Sequence, residues 1–297
     1  MSLTEQEINS QADLWVRAGA MGAQAVDVMP RDGEKIAVIG CGTSWFMAQA
    51  YCRAREVAGK GISDAFTATE FPLDRPYDRV ICLSRSGTTT EIVDVLEKLH
   101  SKGTPNVLVT AVSPGPATPF ADHEVVLDFA DERSVVQTRF ATSALAFFRA
   151  SLGEDLTQAV EDCRAALAAD IPQRWIDATE ITFLGTGWTI GLANEAGLKC
   201  REASQSWTES YPAMEYRHGP MSITEPGRLV WVFGAVPEGM AAQVESFGGE
   251  LCTFDGDPMA HLVLAQRVAL ARALARGLNP DTPRHLTRSV ILEDGQH

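Results

Sequence analysis

Arg79-Val80-Ile81-Cys82-Leu83-Ser84-Arg85-Ser86-Gly87-Thr88-Thr89 reads as a strand that runs into a hydroxyl-rich turn. The run 79–83 is apolar and has the length of a buried strand. Beyond the turn, Ile92, Val95, Leu96 and Leu99 recur at helical spacing. The turn therefore stands between a strand end and a helix N-terminus. Free backbone N–H groups and the positive end of the helix dipole favour an anion there. Ser and Thr hydroxyls add neutral donors that fit around a phosphate. Capping the helix would need one such residue; Ser84, Ser86, Thr88 and Thr89 supply more.

The same alternation extends on both sides. Residues 4–29 have helical periodicity and end at Pro30-Arg31-Asp32-Gly33. A strand at 35–39 leads through Gly40-Cys41-Gly42-Thr43-Ser44 into a helix near 45–58. Strands follow at 106–110 and 124–128, then a helix around 138–150. Strands alternating with helices imply right-handed β-α-β units and a parallel sheet. The pattern then returns. Ile181-Thr182-Phe183-Leu184-Gly185-Thr186-Gly187 mirrors Ile36-Ala37-Val38-Ile39-Gly40-Cys41-Gly42, Arg228–Phe233 mirrors 79–83, and 250–254 supplies a third strand. Two related α/β halves are expected: a helical segment 1–33, a first half 34–152 and a second half 153–297. The second half has Gly234-Ala235-Val236-Pro237-Glu238 where the first has its serines, so anion chemistry is expected in the first half only. Gly40-x-Gly42 is not a complete dinucleotide fingerprint, because Trp45 replaces the third glycine.

Composition narrows the function. The 297 residues are 45% hydrophobic, which suits a packed core. The formal net charge of −14 disfavours nucleic acid and anionic membranes as partners. An anionic substrate then needs a local positive site. The six cysteines show no C-x-x-C pair and read as buried thiols of a reducing, cytoplasmic compartment. No His motif suggests a metal, no cofactor is implied, and no apolar run has membrane-span length.

A second constellation lies at 195–220. Glu195, Lys199 and Glu202 share one helical face. The plain reading is a solvated charge face with a supporting ion pair. His218-Gly219-Pro220 places an imidazole on a turn nearby in sequence, so two groups able to move protons are available.

In this order, Cys41-Gly42-Thr43-Ser44, Ser84–Thr89, Leu198-Lys199-Cys200-Arg201-Glu202, Arg217-His218-Gly219-Pro220 and Asn279–Val290 resemble the motifs of double-SIS (sugar isomerase) proteins. The likeness is to the isomerase half of glucosamine-6-phosphate synthases in particular, from about residue 35 onward. The resemblance implies two tandem flavodoxin-like SIS subdomains, each a parallel sheet flanked by helices. It also implies a homodimer with a shared active site and a small-molecule sugar phosphate as ligand. Cys41, Gly42, Thr43, Ser44, Ser84, Arg85, Ser86 and Thr89 would hold the phosphate, with Val135 and Gln137 near the sugar. Glu202 would be the base that moves a proton between C1 and C2. His218, given by the neighbouring subunit, would assist ring opening, with Lys199 beside them.

The departures from that family bear on substrate. No glutaminase segment with its Cys nucleophile precedes the first half, so a synthase is not expected. Arg85 stands where the family has Gln and would add a positive fork to the anion site, suiting phosphate or a sulfonate. Arg288 replaces a Lys and could polarise O1 or O2 but not form a Schiff base. Gln137 replaces a Ser. The expected reaction is aldose–ketose isomerisation of a hexose or amino-hexose 6-phosphate. Deamination or deglycation at the same site, and a non-catalytic sugar-phosphate sensor, are the alternatives.

Overall fold

The computed structural model describes residues 1–292. In chain order its elements are α1 (Leu3–Asn9), α2 (Gln11–Gln24), β1 (Ile36–Gly40), α3 (Thr43–Val57), β2 (Ser63–Thr67), β3 (Arg79–Leu83), α4 (Thr90–Lys102), β4 (Asn106–Thr110), β5 (His123–Val126), α5 (Arg139–Ser151), α6 (Thr157–Ala168), α7 (Gln173–Asp177), β6 (Glu180–Gly185), α8 (Thr189–Ser204), β7 (Thr208–Pro212), β8 (Arg228–Phe233), α9 (Met240–Ser246), β9 (Glu250–Cys252) and α10 (Pro258–Ala275). The helix expected over 4–29 is two helices. The chain breaks at Ser10, whose hydroxyl donates to the Glu7 carbonyl, 2.8 Å away. A side chain that bonds its own backbone in this way competes with helix propagation.

Two compact units form. One comprises Asp13–Leu156 and the chain from Thr287 onward; the other comprises Met1–Ala12 and Thr157–Leu286. The linear division at 33/34 and 152/153 therefore differs at the termini, which each join the other half. In the second unit, the Asp281 carboxylate accepts from the Leu3 and Thr4 N–H groups at 2.9 and 2.8 Å, fixing the start of α1. Burial works against the charge on Asp281, yet these N–H bonds prevail and hold its pKa below the ordinary carboxylate range.

The first unit is a parallel sheet of order β2-β1-β3-β4-β5, the second a parallel sheet of order β7-β6-β8-β9. The first order is the flavodoxin-like one, and the second lacks only its last strand. The central strands β1, β4 and β6 are buried along their whole length, as all-parallel strands covered on both faces must be. The duplication extends to single atoms. A Cβ on Gly40 would lie 2.5 Å from the Ser44 carbonyl carbon, and one on Gly185 would lie 2.5 Å from that of Thr189. Two residues on, Gly42 and Gly187 have φ of 53° and 61°. Each half thus closes a strand onto a helix through a turn that only glycine fits.

Candidate active site

In the first unit, β1 and β3 are neighbours in register, with Gly40 opposite Leu83. The chain leaves them in opposite directions across the sheet, to β2 and to β4, which makes their C-terminal edge the topological switch point. Both hydroxyl-bearing turns, 40–44 and 84–89, emerge from that edge. Thr43 and Ser44 open α3 and are buried; Gly42 caps the helix without a side-chain bond. Cys41 is half-buried, and burial, then the Glu91 carboxylate, pushes its thiol up to about 11. It is therefore a packed thiol, not a nucleophile.

The 84–89 turn is tied down by backbone. Ser84 N–H donates to Val109 O at 3.0 Å, Ala111 N–H to Arg85 O at 3.0 Å and Ala117 N–H to Gly87 O at 3.1 Å. Gly87 has φ of 63°. Ser84, Arg85 and Ser86 are buried. No side chain caps α4. The hydroxyls of Ser86, Thr88 and Thr89 instead point to one place, where each lies 2.9–3.4 Å from Ser289 Oγ.

Arg85, expected to add positive charge to the anion site, has partners within the protein. Its guanidinium lies 3.3 Å from the Glu132 carboxylate and donates to the carbonyls of Ser134, Val135 and Arg288. Glu132 in turn accepts from Thr138 N–H and Arg139 N–H, at 2.5 and 2.8 Å, at the start of α5. The two terminal nitrogens of Arg85 thus position the 132–139 loop, which carries Val135 and Gln137, while its buried Nε–H has no hydrogen-bond partner. The Glu132 carboxylate offsets the positive charge expected to suit a phosphate or sulfonate. Gln137 keeps a buried Oε1 with no hydrogen-bond partner. Arg288, expected to polarise a sugar oxygen, pairs with Asp131 and donates to the Glu132 carbonyl at 2.9 Å. It anchors the tail.

In the second unit, the charged face of α8 is not solvated. Glu195 and Lys199 are fully buried, and Glu202 is partly exposed. Lys199 Nζ lies 2.5 Å from Glu202 Oε2 and 3.5 Å from Glu195 Oε1. His218 is exposed at the end of the turn Glu215–His218, and no hydrogen bond or ion pair joins it to Glu202. At this unit's own switch point, Thr189 Oγ1 donates to Phe233 O at 3.0 Å and accepts from Thr186 N–H at 2.8 Å. Its hydroxyl is consumed internally, consistent with the missing serines of that turn.

A parallel sheet of order 2-1-3-4-5 with a hydroxyl-rich turn at its switch point defines a class. Residues 31–152 match the SIS domain. Over 296 residues the chain is 24% identical to glutamine–fructose-6-phosphate aminotransferase (isomerizing) of Sulfolobus acidocaldarius, covering 87% of this chain and 50% of the relative. The chain spans about half the length of the curated relatives it matches. Glucosamine-6-phosphate deaminase of Thermotoga maritima has the same fold, with a TM-score of 0.80 at 22% identity over 98% of this chain and 100% of that one. Tagatose-6-phosphate ketose/aldose isomerase of Escherichia coli gives 0.77 at 20% identity, over 100% and 97%. No helix among the described residues is long and apolar enough to cross a membrane.

Proposed function

We propose that this chain is an aldose–ketose isomerase acting on a hexose 6-phosphate or amino-hexose 6-phosphate. The observation that carries the reading is the 84–89 turn: three hydroxyls aimed at one point, at the N-terminus of α4, which no side chain caps, and at the switch point of a SIS sheet. In this reading Thr43, Ser44, Ser84, Ser86 and Thr89 hold the 6-phosphate. Glu202 removes the C1 proton of the ketose, or the C2 proton of the aldose, to give an enediol, and returns it to the neighbouring carbon. Hydrogen moves within one molecule, so no external oxidant is required. Lys199 orients the Glu202 carboxylate, and His218 moves the proton that opens the ring. Acid–base groups of this kind suit substrates whose α-proton is acidified by a carbonyl.

The relatives' names support a phosphorylated hexose or its amino derivative as substrate class. A second reading, release of ammonia from an amino-sugar phosphate, is favoured by the similarity in fold to a deaminase. A coupled ammonia assay on glucosamine 6-phosphate separates the two. Ser86→Ala is expected to raise KM with kcat nearly unchanged, since it weakens binding common to ground and transition states; a loss confined to kcat would refute the phosphate role. The reading includes a homodimer in which His218 completes the partner's site. Mixed Glu202→Gln and His218→Ala subunits are then expected to regain part of the activity, and no recovery after verified subunit exchange would refute the shared site.

A further inference from the structure

The tail from Arg288 to Leu292 occupies the features that make the 84–89 turn an anion site. Ser289 Oγ lies 2.9 Å from Thr88 Oγ1, 3.2 Å from Ser86 Oγ and 3.4 Å from Thr89 Oγ1. One oxygen within reach of three hydroxyls stands where an oxygen of a bound phosphate would collect the same bonds. The next residue takes the helix end. Thr90 N–H, in the first turn of α4, donates to the Val290 carbonyl at 3.2 Å, so a partial negative charge already sits on the positive end of the dipole. Leu292 N–H donates back to Thr90 Oγ1 at 2.9 Å. Upstream, Arg85 holds the Arg288 carbonyl at 2.6 Å, and Arg288 grips Asp131. The segment is therefore pinned on both sides of Ser289.

We infer that Ser289 and Val290 are an internal ligand of the phosphate turn, which substrate must displace. This rests on the phosphate reading given above. The hydroxyls of Ser86, Thr88 and Thr89, with the Thr90 N–H, exchange the tail for the 6-phosphate. Arg288, held by Asp131 and Glu132, stays as the hinge. Apparent affinity is then lowered by the fraction of molecules in which the tail is seated.

Inorganic phosphate is the probe, titrated calorimetrically into wild type and Ser289→Ala, with hydrogen exchange followed at the Leu292 amide of the wild type. Ser289→Ala is expected to bind phosphate about 3–10-fold more tightly, because the competing pose is weakened. Saturating phosphate is expected to speed Leu292 exchange in the wild type, a readout that needs no variant to fold. Weaker or unchanged binding by Ser289→Ala, or slower Leu292 exchange with phosphate, overturns the inference and makes the tail a co-ligand or bystander while leaving the phosphate reading standing. Absence of phosphate binding by folded wild type and variant alike overturns both.

Discussion

The Lys199 ammonium lies 2.5 Å from the Glu202 carboxylate, one turn along the same helix. Lys199 is 1% exposed, and on its other side stands Glu195, fully buried, 3.5 Å away. Removing the cation breaks a buried ion pair from one side. Lys199→Met is expected to cost about 3–5 kcal/mol, the usual penalty for breaking a buried pair from one side. Urea denaturation measures it, and a loss below about 1 kcal/mol would mean that these ion pairs contribute no more than exposed ones do.

Arg85 and Glu132 test positioning against direct charge. Arg85→Lys keeps the positive charge but cannot span Glu132 and the carbonyls at 134, 135 and 288. A stability loss of about 1–3 kcal/mol is expected, with weaker phosphate binding through the loosened 132–139 loop. If lysine restored both stability and affinity, the charge itself would be what matters.

Glu180 makes stability depend on pH. Burial raises its carboxyl to about 7; a Thr182 hydroxyl bond and Arg228 pull it down, and the Glu209 carboxylate adds to the rise. An unfolded Glu titrates near 4.3. Between about 4.3 and 7 the folded chain holds the proton that the unfolded chain has lost, so this group's contribution falls as pH rises through that window. His261, stacked on Trp231 and pushed down to about 3 by burial, works oppositely between about 3 and 6.5. Glu180→Gln removes only the first effect. Its Tm minus that of the wild type is expected to grow from pH 5 to pH 8 in a series of thermal melts. A constant difference would show that Glu180 ionises normally in the folded chain.

The paired glycines give a matched test of the duplication. Gly40→Ala and Gly185→Ala both drive a methyl into backbone at about 2.5 Å, where nothing flexible can yield. Each is expected to cost about 3 kcal/mol, at the upper end of overpacking penalties. Unequal costs in denaturant melts would mean that the two turns are not equivalent.

The central strands were legible because parallel strands buried on both faces read as unbroken apolar runs: 79–83, 106–110 and 228–233 coincide with β3, β4 and β8. The edge strands β2 and β7 were not. Ser63-Asp64-Ala65-Phe66-Thr67 and Thr208-Glu209-Ser210-Tyr211-Pro212 are polar and only half-buried, so no hydrophobic pattern marks them. Helix α10 carries apolar residues on most sides and was likewise missed, since a largely buried helix has no single face to recognise. Within the site, spacing placed Glu195, Lys199 and Glu202 on one face but could not give its depth. Residue type made Arg85 a candidate anion ligand and Arg288 a candidate to polarise a sugar oxygen; only geometry shows their guanidinium groups paired with Glu132 and Asp131. Ser289 lies within the Asn279–Val290 motif, but no sequence pattern marks its contact with Ser86, about two hundred positions away.

Solvent hydrogen exchange is the most direct test of proton transfer by Glu202. Hexose and amino-hexose 6-phosphates are incubated with the protein in deuterated water and followed by NMR at C1 and C2. Wild type is expected to place deuterium at one of those carbons, and Glu202→Gln to do so about 10²–10⁴-fold more slowly. Deuterium at neither carbon across the panel, or a wild-type rate in Glu202→Gln, would contradict the account.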